Sequence, residues 1–145
     1  MKLVFKAKLV AAILCLMISA VCPAASGAER KPEQVACEVN AGPCSGSLND
    51  IQVTLDVEPK PVKAMEELTF TVRFAGEKFV GDPYIDLGMP GMNMGRNRVF
   101  LKPIGESVYE GRGVIVRCPS GRRAWKAAVV IPHVGSVEFV FDVVY

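Results

Sequence analysis

From Ile51 onward the chain alternates apolar and polar positions. Ile51, Val53, Leu55 and Val57 are separated by Gln52, Thr54 and Asp56. Side chains two apart share one face of an extended strand, so this pattern predicts a half-buried β-strand. Pro59-Lys60-Pro61 ends it. Leu68, Phe70, Val72 and Phe74 repeat the pattern, with Thr69, Thr71 and Arg73 outward, and Gly76 breaks it. A short third strand is expected over 84–87 and a fourth over 98–102, followed by a turn at 103–106. The fifth, 108–116, contains Gly111 and Gly113, which mark a bulge or a close backbone approach. A turn around Pro119-Ser120-Gly121 leads to a sixth strand with Trp125, Ala127, Val129 and Ile131 on one face. A turn at 132–135 precedes the seventh, where Val137, Phe139, Phe141 and Val143 alternate.

Seven short strands at this spacing, with no amphipathic helix, predict an all-β, immunoglobulin-like β-sandwich. A small closed barrel is the competing architecture. Residues 29–49 show little periodicity and are rich in Pro, Gly and Ser, so an irregular, cysteine-bearing lead-in is expected before the β-sandwich domain of residues 50–145.

The amino end has a different pattern. Lys2, Lys6 and Lys8 precede an apolar run from Leu9 to Val21, and Ser26-Gly27-Ala28 supplies small residues before Glu29. This is the layout of a signal peptide over residues 1–28. The apolar run is about 13 residues, short of the roughly 20 that a spanning helix needs. An uncleaved anchor from Leu9 to Ala25 is the alternative, and the only route to membrane association. The expected location is periplasmic or secreted. Export also changes the charge reading. The formal charge of +2 includes the three signal lysines, so the mature chain is close to neutral. Arg96, Arg98, Arg122 and Arg123 are too sparse for a phosphate-tracking stripe, and no nucleic-acid partner is expected.

An oxidising compartment permits disulfides. Of five cysteines, Cys37, Cys44 and Cys118 lie beyond the signal. Three is odd, so at least one is free, metal-bound or paired with another chain. Gly42-Pro43 allows a turn between Cys37 and Cys44, which makes a local disulfide the first choice. There is no Cys-x-x-Cys, which removes covalent c-type haem and the usual thiol-oxidoreductase motif.

The densest candidate chemistry is Gly88-Met89-Pro90-Gly91-Met92-Asn93-Met94-Gly95, where three of the chain's six methionines fall within six residues. Thioether sulfur is a soft ligand suited to Cu(I), and Cys118 adds a thiolate. Met89, Met92, Met94 and Cys118 are therefore the candidate metal ligands. The competing reading is structural, with methionines as gap-fillers over the open end of a sandwich and Cys118 as a buried thiol. If successive connections alternate between the two ends, the methionine loop and the Cys118 turn share an end. His133 then lies at the other end, nearer the Cys37 and Cys44 segment. Hydrolytic chemistry is not expected: there is one histidine, no nucleophile elbow and no phosphate loop. Asp82 and Asp86 stand about 13 Å apart on an extended strand.

The stretch from Tyr84 onward resembles the YtkA-like and FixH-like group of exported or membrane-anchored β-sandwich domains. The resemblance is carried by Met89-Pro90-Gly91-Met92-Asn93-Met94-Gly95, by Val99 and Leu101, by Tyr109-Glu110-Gly111, and by Ser120-Gly121 followed by Trp125. It implies an immunoglobulin-like fold outside the cytoplasm and, through FixH-like members, a link to copper handling or cytochrome oxidase assembly. It assigns the methionine-loop role to Met89, Met92 and Met94. Where relatives often carry a histidine after that loop, Arg96 and Asn97 stand here, and where they often carry a methionine before the Gly-x-Trp element, Cys118 is the nearest sulfur. The resulting expectation is a non-enzymatic extracytoplasmic module with a protein partner in the cell envelope, binding copper as Cu(I) in trafficking or assembly of a respiratory metal centre. The alternative is an accessory domain that docks its partner through the methionine loop without metal.

Overall fold

In this computed structural model the structure describes residues 32–145; the expected signal peptide lies outside the described residues. Ten strands follow one another: β1 (Glu33–Ala36), β2 (Cys44–Leu48), β3 (Ile51–Glu58), β4 (Glu67–Gly76), β5 (Tyr84–Gly88), β6 (Arg98–Phe100), β7 (Lys102–Gly105), β8 (Val108–Val114), β9 (Ala124–Ile131) and β10 (Gly135–Asp142). They form two five-stranded sheets, ordered β1-β10-β9-β5-β6 and β2-β3-β4-β8-β7. All pairings between neighbouring strands are antiparallel except the parallel β1–β10 pair. The run β3-β4-β8-β7 facing β10-β9-β5 is the four-against-three strand order of the immunoglobulin sandwich.

The alternation read from the sequence is the alternation of burial. Val53, Leu55 and Val57 on β3 meet Phe74, Val72 and Phe70 in register on β4, and all six are buried. From the opposite sheet, Trp125, Ala127 and Val129 on β9 and Phe139 and Phe141 on β10 fill the same core. Burial of this apolar surface, at about 25 cal/mol per Å², is the main force holding the two sheets face to face.

Three local details differ from the expectation. The fourth strand is two strands. β6 pairs with β5, the chain crosses to the other sheet at Leu101, and β7 pairs with β8. Leu101 is buried and acts as the pivot. Pro103 sits in edge strand β7, where a missing N–H costs no ladder bond. The turn expected over 103–106 is therefore mostly strand. Within the lead-in 29–49, residues 37–43 are turn and loop, whereas β1 and β2 add one strand to each sheet. Their alternation is hidden by small residues. A Cβ on Gly46 would lie 2.8 Å from Val137 Cγ2 and 2.9 Å from Val35 Cγ2, so the strand passes close to these side chains and any larger residue would force them to shift. The expected disulfide is present, Cys37–Cys44, and links the segments carrying β1 and β2 across the edge between the sheets.

The ends of the sandwich can be assigned from register. β5 finishes at Gly88, opposite Lys126 near the start of β9, so the loop after β5 and the turn before β9 share one end. The Arg122 guanidinium joins them by donating to the Pro90 carbonyl at 3.5 Å. His133 lies in the β9–β10 hairpin at the opposite end, in a left-handed conformation with φ 64°. It is not near the disulfide: Cys37 bonds to Val140, well along β10 from that hairpin.

Candidate functional site

The methionine loop is a locally hydrogen-bonded structure. Pro90 and Gly91 occupy the middle of a turn closed by the Met92 N–H donating to the Met89 carbonyl at 3.1 Å, and Gly91 has φ 72°. Proline followed by a left-handed glycine is the signature of a type II turn. Asn93 then accepts the Gly95 N–H on its side-chain oxygen at 3.2 Å, an Asx turn. The loop base is closed by Leu87 N–H donating to Asn97 C=O at 2.8 Å. The Asn97 side chain donates to Val114 C=O at 3.1 Å, tying the loop to β8 in the other sheet.

The four expected sulfurs stand in three different surroundings. Met89 is fully buried and belongs to the core. It continues the inward series Ile85, Leu87, Met89, which the strand period alone prescribes. Met92 is 40% exposed and Met94 half-buried. Both line one groove of about 290 Å³ on the outer face of the β5–β9–β10 sheet, with Asp86, Lys126 and Glu138. Lys126 and Glu138 are paired there at 2.6 Å, and Gln34 donates to the second Glu138 oxygen at 2.7 Å. This buried carboxylate is compensated by both a cation and an amide. Met92 and Met94 are thus brought together in this groove, whereas Met89 is bridged to Met92 through the backbone and its side chain is buried in the core.

Cys118 is the free thiol among the described cysteines and is buried. Its sulfur lies 3.0 Å from Ser120 Oγ. The Ser120 hydroxyl, helped by Ser120 and Arg122 backbone groups and the Arg122 charge, holds the thiol below its ordinary titration range against a smaller opposing effect of desolvation. Tyr145 organises this turn. Its hydroxyl donates to the Arg122 carbonyl and accepts from the Cys118 N–H at 3.3 Å and from Trp125 Nε1 at 3.5 Å.

A second groove opens at the same end, with a volume of about 380 Å³. Buried Leu87 and Trp125 contribute to its lining with Met94, Val114 and Val116, and Arg96 and Asn97 lie among its lining residues. Val114 and Val116 are 40% and 42% exposed. Sequence reading passed over them because it placed both inside one ordinary strand. The signal available was that Val114, Val116 and buried Ile115 cannot all face the core of a period-two strand. Among the described residues, no group of three or more His, Cys, Asp or Glu side chains comes together as a metal site. Compared with known proteins, the chain matches no family model, no curated sequence and no solved structure.

Proposed function

We propose that this protein is a non-enzymatic, extracytoplasmic β-sandwich module that docks a protein partner at its methionine-loop end. The observation that carries the reading is the groove in which Met94, Val114 and Val116 leave apolar surface open beside a rigid loop. Open apolar grooves on a folded domain mark places where another surface sits. The Cys37–Cys44 disulfide supports an oxidising location. Among the described residues no helix is long and apolar enough to cross a membrane. The sole histidine lies at the far end from Cys118, which leaves that thiol without a histidine base and supports a non-enzymatic role.

The test is a photo-crosslinking residue placed at Val116 and, separately, at Val80, which is 90% exposed near the opposite end. In exporting cells the expected result is one discrete adduct from position 116 and none from position 80. Equal labelling at both positions, or none at 116, counts against the reading.

A second reading is favoured by Met92 and Met94 sharing a groove: Cu(I) held by these two thioethers, for trafficking or assembly of a respiratory metal centre. The burial of Met89 in the core and the enclosure of the Cys118 sulfur leave two accessible soft ligands. Titration of the exported protein with Cu(I) under reducing conditions tests it. Stoichiometric binding abolished by Met92→Ala with Met94→Ala is the supporting result.

A further inference from the structure

Four arginines lie at the end of the sandwich that carries the groove lined by Met94, Val114 and Val116. Arg96 lines it directly. Arg117 follows Val116 and stacks its guanidinium over the Tyr145 ring, 5.4 Å from the centroid. Arg122 reaches the methionine loop at the Pro90 carbonyl, and Arg123 adjoins Ala124 at the start of β9, where its own carbonyl accepts the Val143 N–H. All four are exposed, and none takes part in the ion pairs found among the described residues. The nearby carboxylate of Glu67, which is opposite Val114 in register, is engaged by Arg112 at 3.3 Å. Glu66 follows Met65, whose N–H donates to the Ile115 carbonyl, and is engaged by Lys63 at 3.6 Å. Asp142, opposite Ala124, and Glu38, two residues beyond the Ala36–Val140 pair, are further carboxylates on this side.

Four exposed guanidiniums on one end, outside the ion pairs found among the described residues, repel one another and attract anions. Arginine also presents a planar fork that matches carboxylates. The apolar surface beside Arg96 is concave, so it accepts an inserted side chain rather than lying flat on a lipid surface. We infer that the occupant of this groove is an acidic peptide segment of a partner protein. It places an aliphatic or aromatic side chain against Met94, Val114 and Val116, and Asp or Glu residues on either side reach Arg96, Arg117, Arg122 and Arg123. This rests on the docking reading above and adds the chemistry of the partner. Charge complementarity of this kind steers association and selects among partners, with the buried apolar contact holding the complex.

The test uses the exported protein, labelled for amide NMR, and three synthetic octapeptides. Each has a central Leu-Phe pair, flanked by Asp and Glu in the first, by Asn and Gln in the second and by Lys in the third. Phosphatidylglycerol vesicles form a fourth arm. The acidic peptide is expected to give saturable shifts at Met94, Val114, Val116 and the Trp125 indole. Its affinity should fall with added salt and drop by about tenfold in Arg96→Glu with Arg122→Glu, consistent with the loss and reversal of exposed charge pairs. Both residues are exposed, and retained amide dispersion shows that the variant is folded. The milder Arg96→Gln with Arg122→Gln should give an intermediate loss. If the neutral peptide binds as well as the acidic one, the acidic-partner inference is overturned and the docking reading stands. If the vesicles perturb the same residues and the acidic peptide does not, the inference fails in favour of a membrane surface. If no probe perturbs the groove, both the inference and the docking reading fall.

Discussion

Tyr145 holds the turn that carries Cys118: its hydroxyl accepts the Cys118 N–H at 3.3 Å. The same hydroxyl donates to Arg122 C=O and accepts from Trp125 Nε1–H at 3.5 Å, so one phenol fixes both sides of the turn before β9. Removing it leaves two donors and one acceptor to find water or go unpaired. Tyr145→Phe keeps the ring and the Arg117 stacking and is expected to cost about 1 to 2 kcal/mol. Urea unfolding monitored by Trp125 fluorescence measures this. A loss below a few tenths of a kcal/mol would show that the turn is held elsewhere.

The Cys118 thiol gives a pH dependence of known sign. Its native titration point is below its ordinary value because Ser120 stabilises the thiolate. The unfolded chain binds that proton more readily in the interval between the two values. Stability from this group therefore rises with pH across that interval, is complete above the ordinary value, and is lost as pH falls through the lower native value. Ser120→Ala should move the thiol titration upward, as read by ultraviolet thiolate absorbance of the purified protein. Cys118→Ser should remove this component of the pH dependence altogether.

Two of the loop methionines, Met89 and Met92, should separate in a stability assay. Met89 is fully buried, and Met89→Ala is expected to cost about 2 to 5 kcal/mol through lost contacts and a cavity. Met92 is 40% exposed, and Met92→Ala should change stability by no more than about 0.5 kcal/mol. Thermal and chemical denaturation of the two variants decide this. Equal effects would mean that the loop, rather than the core, sets the role of Met89.

How far the sequence could be read follows from these residues. The sandwich was legible because Ile51 to Val57, Leu68 to Phe74 and Val137 to Val143 obey one period that can bury only one face. Met89 was legible in the same way, as the third inward residue after Ile85 and Leu87, although its neighbours drew it into a soft-ligand set. Strands β1 and β2 were not legible: Ser45, Gly46 and Ser47 carry almost no hydrophobic signal, and their place is fixed by pairing with β3, by Val137 close against Gly46, and by the disulfide. The groove depends on Val114 and Val116 coming beside Trp125 from the opposite sheet, a contact that no local pattern encodes.

The disulfide should contribute measurably despite its short loop. Cys37 and Cys44 are 7 apart in sequence, and loop-closure entropy for so small a ring gives about 2 to 3 kcal/mol. Cys37→Ser with Cys44→Ser should lower the urea midpoint accordingly, with little change in the slope. Because the bridge joins segments belonging to opposite sheets, amide exchange should rise first in β1 and β2, and the Cys118 turn should keep its protection. Faster exchange throughout the sandwich would instead make the bridge a determinant of global stability.

Gly111 and Gly113 on β8 settle between a bulge and a close approach. A Cβ on Gly111 would lie 2.6 Å from the Phe100 carbonyl oxygen, and one on Gly113 would lie 2.5 Å from Val99 Cγ2. Both contacts belong to the stretch where the chain leaves β6 and crosses to β7, so the glycines make room for that crossing. A backbone carbonyl cannot rotate away as a side-chain methyl can. Gly111→Ala should therefore be the more damaging, at or above the ~1 to 3 kcal/mol usual for overpacking, and Gly113→Ala should fall near the lower end of that range. Combining Gly113→Ala with Val99→Ala removes the methyl that clashes. If steric crowding is the cause, the double variant loses less stability than the sum of the two single variants, and strict additivity would refute it.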